Sequence, residues 1–94
     1  MKIPKTLKIG AYEYKVVIQD GITHKGFALS GLCECDELII RLDKKLKGTE
    51  LQVVFIHECL HAIEHSYNIK LGEKTVERLD NALVAFFKDN NIKL

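Results

Sequence analysis

Two histidines and a glutamate in the second half of the chain have the spacing of a metal site. The segment His57-Glu58-Cys59-Leu60-His61 follows the pattern H-E-x-x-H, within a stretch whose apolar residues repeat with a helical period. Residues four apart on an α-helix differ by about 40° in direction and by about 6 Å along the axis. Two imidazoles placed in this way converge on one zinc ion at about 2.0–2.1 Å. We therefore predict that His57 and His61 bind Zn²⁺.

Glu58 lies between the two histidines but points in another direction. It is turned by about 100° from His57 around the helix axis, so we expect it to reach a water bound to the metal rather than the metal itself. A carboxylate in that position is typical of the general base of a metallopeptidase. The alternative interpretation is a solvated helix face that carries scattered histidines and glutamates.

A catalytic zinc site needs a third protein ligand and leaves the fourth position for water. His65 is eight residues beyond His57, about 12 Å along the axis, which is too far for one ion on a continuous helix. The metzincin pattern is also excluded, because its glycine and third histidine would fall at Glu64 and Tyr67. The third ligand must therefore come from another element.

A second helix, predicted from about Glu73 to Lys88, offers three carboxylates. Glu77 lies at the edge of the apolar face of that helix and is our predicted third ligand. Asp80 lies inside that face, where a buried carboxylate needs a partner, so we expect it to accept a hydrogen bond from a ligand histidine. Glu73 is in the first turn, where the helix dipole already explains an acidic residue. Asp80 and Glu73 remain alternative ligands.

The elements that must position these residues predict an α+β fold. Alternating apolar residues predict one hairpin over residues 6–19, turning at Gly10-Ala11, and another over residues 31–42, turning near Asp36-Glu37. Residues 21–26 are predicted to be a loop, and residues 27–29 a possible further strand. The first helix is predicted over residues 50–67, with Thr49 as its N-cap and Gln52 completing a capping box.

We accordingly predict a single domain over residues 1–94, with a β-rich half at 1–47 and a helical half at 48–94. Its architecture would be a small antiparallel sheet of three or four strands with two packed helices. Apolar residues fill an arc of about 200° around the first helix, which predicts that this helix is packed on two sides.

The amino-acid composition argues against several classes of protein. The 94 residues carry 14 Lys and Arg against 13 Asp and Glu, so the net charge of +1 argues against a nucleic-acid partner. No apolar run in the sequence, Val53–Ile56 among them, is long enough to cross a membrane. Three cysteines and no leader-like apolar stretch predict a reducing, cytoplasmic compartment. A chain this short buries a small core, and a bound metal would add stability.

The remaining reactive side chains have less specific patterns. Cys33 and Cys35 form a C-x-C pair, which we interpret as small buried apolar residues rather than a structural zinc site, because no second cysteine pair is present. His24 is expected to be a surface residue. His65 and Tyr67 are candidates for stabilising an oxyanion at the end of the first helix.

The order of these motifs resembles that of the small zinc metallopeptidases of bacteriophages and prophages, which are zincins with a downstream glutamate ligand. The resemblance covers most of the chain, but its specific part is the H-E-x-x-H motif and that glutamate. It implies zinc on His57, His61 and Glu77, with Glu58 as the base, and the host cytoplasm as the compartment. The matching residues are Gly31, Cys33 or Cys35, Ile39, Ile40, Ile56–Glu58, His61–Ile63, Val76, Glu77, Leu79, Asn81 and Leu83.

These observations together predict a zinc metallopeptidase that hydrolyses a peptide or protein substrate through a metal-bound water activated by Glu58. The substrate could add along an exposed edge of the sheet. The main alternative is a zinc-binding module that is not catalytic and acts through a protein partner. The oligomeric state stays open.

Overall fold

The computed structural model describes residues 2–93, in which the chain builds a layer of strands, then a layer of two helices. The first helix packs against the sheet, and the second packs mainly against the first. None of the described helices is long and apolar enough to span a lipid bilayer. The strands are β1 (Thr6–Ile9), β2 (Tyr12–Gln19), β3 (Thr23–His24), β4 (Phe27–Ala28), β5 (Gly31–Glu34) and β6 (Ile39–Asp43), and the helices are α1 (Gly48–Tyr67) and α2 (Glu73–Asp89).

The main sheet has four strands in the order β1-β2-β6-β5, and β3 and β4 form a separate two-stranded ribbon. Both predicted hairpins are present as antiparallel pairs, β1 with β2 and β5 with β6. The predicted α+β fold, a small four-stranded sheet with two packed helices, is confirmed; its two outer strand pairs are antiparallel, whereas the central strands β2 and β6 run parallel. Alternation within each segment defines strands but does not fix the direction in which distant strands pair. Residues 23–24, predicted as loop, form β3.

The sheet order leaves β5 at an edge. Between β5 and β6 the chain makes a single 3₁₀ turn over Cys35–Glu37, and Leu38 closes it with a left-handed backbone, φ 59°. Within the described residues 2–93, β5 pairs only with β6 in this sheet, so one side of its backbone faces away from the sheet. This free edge runs beside α1, the helix with which β5 is in contact.

Helix α1 begins at Gly48, two residues before the predicted start, and Lys47 occupies the N-cap position without a side-chain cap. The predicted capping box is therefore wrong. Thr49 lies inside the first turn, and its hydroxyl instead accepts a hydrogen bond from the Lys88 ammonium of α2, which ties the two helices together. Helix α2 begins at the predicted residue and ends one residue later than expected.

The apolar core lies between the sheet and α1. Its most buried members come from β2, β6 and the middle of α1, and α2 adds two valines on the other side of that helix. The prediction that α1 is packed on two sides is confirmed by its contacts with both the sheet and α2. The buried apolar residues include Tyr14, Ile40, Leu42, Leu46, Phe55, Leu60, Ala62, Val76 and Val84.

Leu42 and Ile18 provide a matched test of this core, because they are register partners on neighbouring strands. Leu42 is 0% exposed and Ile18 is 51% exposed. We expect Leu42→Ala to reduce the free energy of unfolding by about 2–5 kcal/mol, because it leaves a cavity. Ile18→Ala should cost less than about 1 kcal/mol. Urea unfolding of both variants measures the difference, and equal losses would contradict this description of the core.

Candidate metal site

The two histidines of the motif face one another across one turn of α1. Their Nε2 atoms are 3.2 Å apart, and their rings meet edge to face with centroids 4.8 Å apart. This arrangement follows directly from the i, i+4 spacing on a regular helix. The predicted convergence of His57 and His61 is therefore present in the structure.

Each histidine is oriented by a carboxylate on its other nitrogen. The Nδ1 of His57 is 2.8 Å from the Oδ2 of Asp80, and the Nδ1 of His61 is 2.8 Å from the Oε1 of Glu64. A carboxylate accepts a hydrogen bond from the Nδ1–H group, and the neutral ring then carries its lone pair on Nε2. Both Nε2 atoms therefore present lone pairs towards the same point.

Glu73 completes the group from the first turn of α2. One of its carboxylate oxygens is 2.9 Å from the Nε2 of His57, and the other is 3.1 Å from the Nε2 of His61. Of the described residues, these three form the group of at least three potential ligands whose donor atoms all lie within 4.8 Å of one another. The group could hold a metal ion.

The two Nε2 lone pairs and the Glu73 carboxylate together favour a positive charge between them. Two imidazole lone pairs and a carboxylate at about 3 Å have no proton to share unless a histidine is protonated. Burial lowers the pKa of His57, but the hydrogen bond to Asp80 and the charges of Glu58 and Glu73 outweigh it and raise that pKa overall. The site thus attracts a cation, either a proton or a metal ion.

The predicted third ligand, Glu77, is not part of the converging group, and Glu73 lies there instead. Glu77 is one turn further along α2, and a turn moves a side chain by about 6 Å along the axis. It is exposed and borders a smaller cavity of about 290 Å³ beside His57. A helical wheel gives the direction of a side chain but not the offset of one helix along another, and that offset selects Glu73.

Asp80 has the role that its burial suggested. Its side chain is buried between the helices, and it accepts from His57 on one oxygen and from the Asn81 amide on the other. Both oxygens of this buried carboxylate therefore have a partner, which offsets the cost of removing the charge from water. Asp80 orients a potential ligand and is not among the three converging residues.

Glu64 is a residue of the candidate site for which no role was predicted. Its second carboxylate oxygen accepts hydrogen bonds from the backbone N–H groups of Leu71 and Gly72. Burial raises the pKa of Glu64, but these bonds and the bond to His61 outweigh that effect and lower it. Glu64 therefore fixes His61 and the connection between the helices together. In the sequence, the bond to His61 is indicated by the i, i+3 spacing of His61 and Glu64, which places both on one side of the helix.

Glu58 lies in a buried position against the edge strand. It packs next to Gly31 of β5, with its Cγ and Oε2 close to the position that a Cβ at residue 31 would take. Burial raises the pKa of Glu58 above its usual value, against the opposing charges of the two histidines. The carboxyl is thus held beside the metal-binding group without belonging to it.

A cleft of about 630 Å³ brings these parts together. One wall is β5, the floor is the polar face of α1 with His57, Glu58 and His61, and the far side is formed by the connection before α2 and by Glu73. His65 also borders the cleft, whereas Tyr67 is not among its lining residues. His24 is exposed, as expected.

No protein-family model, curated protein or solved structure matches this chain in sequence or fold. The assignment of the site therefore depends on its own geometry.

A glycine is required at residue 31, where β5 packs against Val54 and Glu58 of α1, and this close packing can be tested. A Cβ at residue 31 would lie 2.7 Å from Cγ1 of Val54 and 3.2 Å from Oε2 of Glu58. Valine on a helix has little freedom to rotate, so we expect Gly31→Ala to destabilise the fold by about 1–3 kcal/mol through overpacking.

The double variant Gly31→Ala/Val54→Ala separates this clash from a general preference for glycine. Removing the methyl groups of Val54 should restore part of the loss, which urea unfolding of the two single variants and the double variant would show as a favourable coupling. Strictly additive losses would contradict the proposed contact.

Proposed function

We propose that this protein is a zinc-dependent metallopeptidase whose metal ligands are His57, His61 and Glu73. The observation that carries the proposal is the convergence of the three side chains, two of them held by further carboxylates, at the floor of an open cleft. Two histidines and one carboxylate are the ligand set of a well-known class of catalytic zinc sites in peptidases.

The distances suit a tetrahedral metal ion such as zinc. Ligand bonds of 2.0–2.2 Å in a tetrahedral site place the ligand atoms about 3.3–3.5 Å apart. The separations here are 3.2 Å between the histidines and 2.9 and 3.1 Å from the histidines to Glu73. They differ from the tetrahedral spacing by a few tenths of an ångström. Carboxylate partners on the Nδ1 atoms are also typical of histidines that bind zinc.

Glu58 has the environment of a general base. When bound, zinc would supply a Lewis acid that activates a water and polarises the carbonyl of a peptide bond. The carboxylate of Glu58 borders the same cleft and would take the proton from the water and deliver it to the leaving amine. Its raised pKa brings it closer to the value at which a carboxylate accepts and returns protons efficiently near neutral pH.

The edge strand β5 gives a way to bind an extended peptide. It forms one wall of the cleft, and its outer side is not paired with another strand of the sheet. An extended segment could pair with this edge through backbone hydrogen bonds, whatever its sequence. Such binding would place a peptide bond of the substrate over the floor of the cleft, where Glu58 and the histidines lie.

Glu73 and Glu77 form a matched pair for testing the ligands, since they lie one turn apart on α2 and both are exposed. We expect Glu73→Gln to weaken zinc binding by at least about 100-fold, beyond the range usual for residues that only orient a ligand. Glu77→Gln should leave the affinity almost unchanged. Competition with a chromogenic chelator measures both values. An equal affinity for the two variants, or a larger loss for Glu77→Gln, would contradict the ligand set.

Glu58→Gln separates catalysis from metal binding. The amide keeps the size of the side chain but cannot accept the proton, so peptide hydrolysis should fall by about 10²–10⁴-fold, while zinc binding is retained. Glu50→Gln, at an exposed position in the first turn of the same helix, should have wild-type activity. A mixed peptide library read by mass spectrometry provides the assay.

Two results of that assay would contradict the proposal in different ways. Equal cleavage by wild type and Glu58→Gln would contradict the role of Glu58. Zinc binding by the wild type without cleavage of any peptide would favour the alternative, a zinc-binding module that acts through a protein partner. The open cleft, with Glu73 58% exposed, is compatible with such a partner.

A further inference from the structure

The two cysteines of the C-x-C pair lie close together in the structure. Cys33 is in β5 and Cys35 in the following 3₁₀ turn, and both are free thiols. Their Sγ atoms are 3.1 Å apart. A disulfide needs about 2.0 Å between the sulfurs, so a shift of about 1 Å would bring the two within bonding distance.

The pair can be reached from outside the protein. Both cysteines border the large cleft, and both also border a second cavity of about 370 Å³ on the other side of β5. The third cysteine, Cys59, is not among the lining residues of either cavity; it packs against the apolar core, and burial raises its pKa to about 12. Access controls the reaction of a cysteine, so the two cavities give a small molecule a route to the pair, and Cys59 serves as the comparison.

We propose that Cys33 and Cys35 form a site of reversible oxidation, which closes to an intramolecular disulfide on reaction with a small disulfide such as oxidised glutathione. The proposal goes beyond the metallopeptidase function and does not depend on it. It concerns the wall of the cleft rather than the metal-binding group on its floor.

The reaction has two exchange steps. The Cys35 thiol loses its proton to solvent, and its thiolate attacks one sulfur of oxidised glutathione, which forms a mixed disulfide and releases one glutathione thiolate. The Cys33 thiol then loses its proton and attacks the Sγ of Cys35, which forms the Cys33–Cys35 bond and releases the second glutathione. Two protein thiols are oxidised, and one glutathione disulfide is reduced to two thiols.

This order follows from the surroundings of the two thiols. Burial strongly raises the pKa of Cys33, which also packs against the core. With its Sγ 3.1 Å from that of Cys35, Cys33 is well placed to attack a mixed disulfide on Cys35. The thiol of Cys35 lies near the carbonyl oxygen of His61, at 3.8 Å, on the side of the turn that faces α1.

The test uses the full chain incubated with oxidised glutathione, quenched with N-ethylmaleimide under denaturing conditions, digested and read by mass spectrometry. The peptide that contains Cys33 and Cys35 should lose two hydrogens and take up no maleimide, and dithiothreitol should reverse this change. Cys59 should remain a thiol and be labelled. The variant Cys59→Ser should give the same disulfide as the wild type.

Cys33→Ser supplies the decisive variant, because it removes the thiol that resolves the mixed disulfide. It should accumulate glutathione on Cys35, whereas the wild type should not. The proposal would be overturned if the wild type retained bound glutathione, if Cys59 were oxidised as fast as the pair, or if both cysteines stayed fully labelled. The comparison of Cys59 with the pair is made within the wild type, so it holds even if Cys33→Ser does not fold.

Discussion

The site depends on the way two histidines are held on their outer nitrogens. Asp80 and Glu64 each accept a hydrogen bond from Nδ1, and this directs both Nε2 lone pairs towards one point. Glu73 brings negative charge to the same point from α2. Such a set of acceptors is stable only with a positive charge between them, which makes this place in the molecule suited to a cation.

The two helices and the connection between them bring these five side chains together. Helix α1 supplies His57, His61 and Glu64, and the connection to α2 is tied to Glu64 by two backbone N–H groups. That tie places the first turn of α2, and with it Glu73, opposite the histidines. The sheet packs on the other side of α1, so that its edge strand contacts the helix close to Glu58.

The sequence predicted those features that depend on short-range geometry. The convergence of His57 and His61 follows from their i, i+4 spacing, and both hairpins and both helices follow from periodicity. The burial of Asp80 correctly indicated a partner. The sequence could not distinguish Glu73 from Glu77, because that choice depends on the offset between two helices. It also could not show that β2 and β6 are parallel, since strand direction is decided by tertiary packing.

Glu64 shows a different limit. It was visible on the polar face of α1, but half of its role lies in accepting hydrogen bonds from a connection seven and eight residues away. Contacts of this kind leave no periodic pattern, because backbone N–H groups are present at almost every residue. These interactions position the reactive groups and become visible only with coordinates.

The most direct test of the central claim is a crystal structure of the zinc-treated protein with anomalous data collected on both sides of the zinc absorption edge. The account predicts one anomalous peak per chain, bounded by the Nε2 atoms of His57 and His61 and by the carboxylate of Glu73, with bonds of about 2.0–2.2 Å. A peak coordinated by Glu77 in place of Glu73, or no peak at the two histidines, would contradict it.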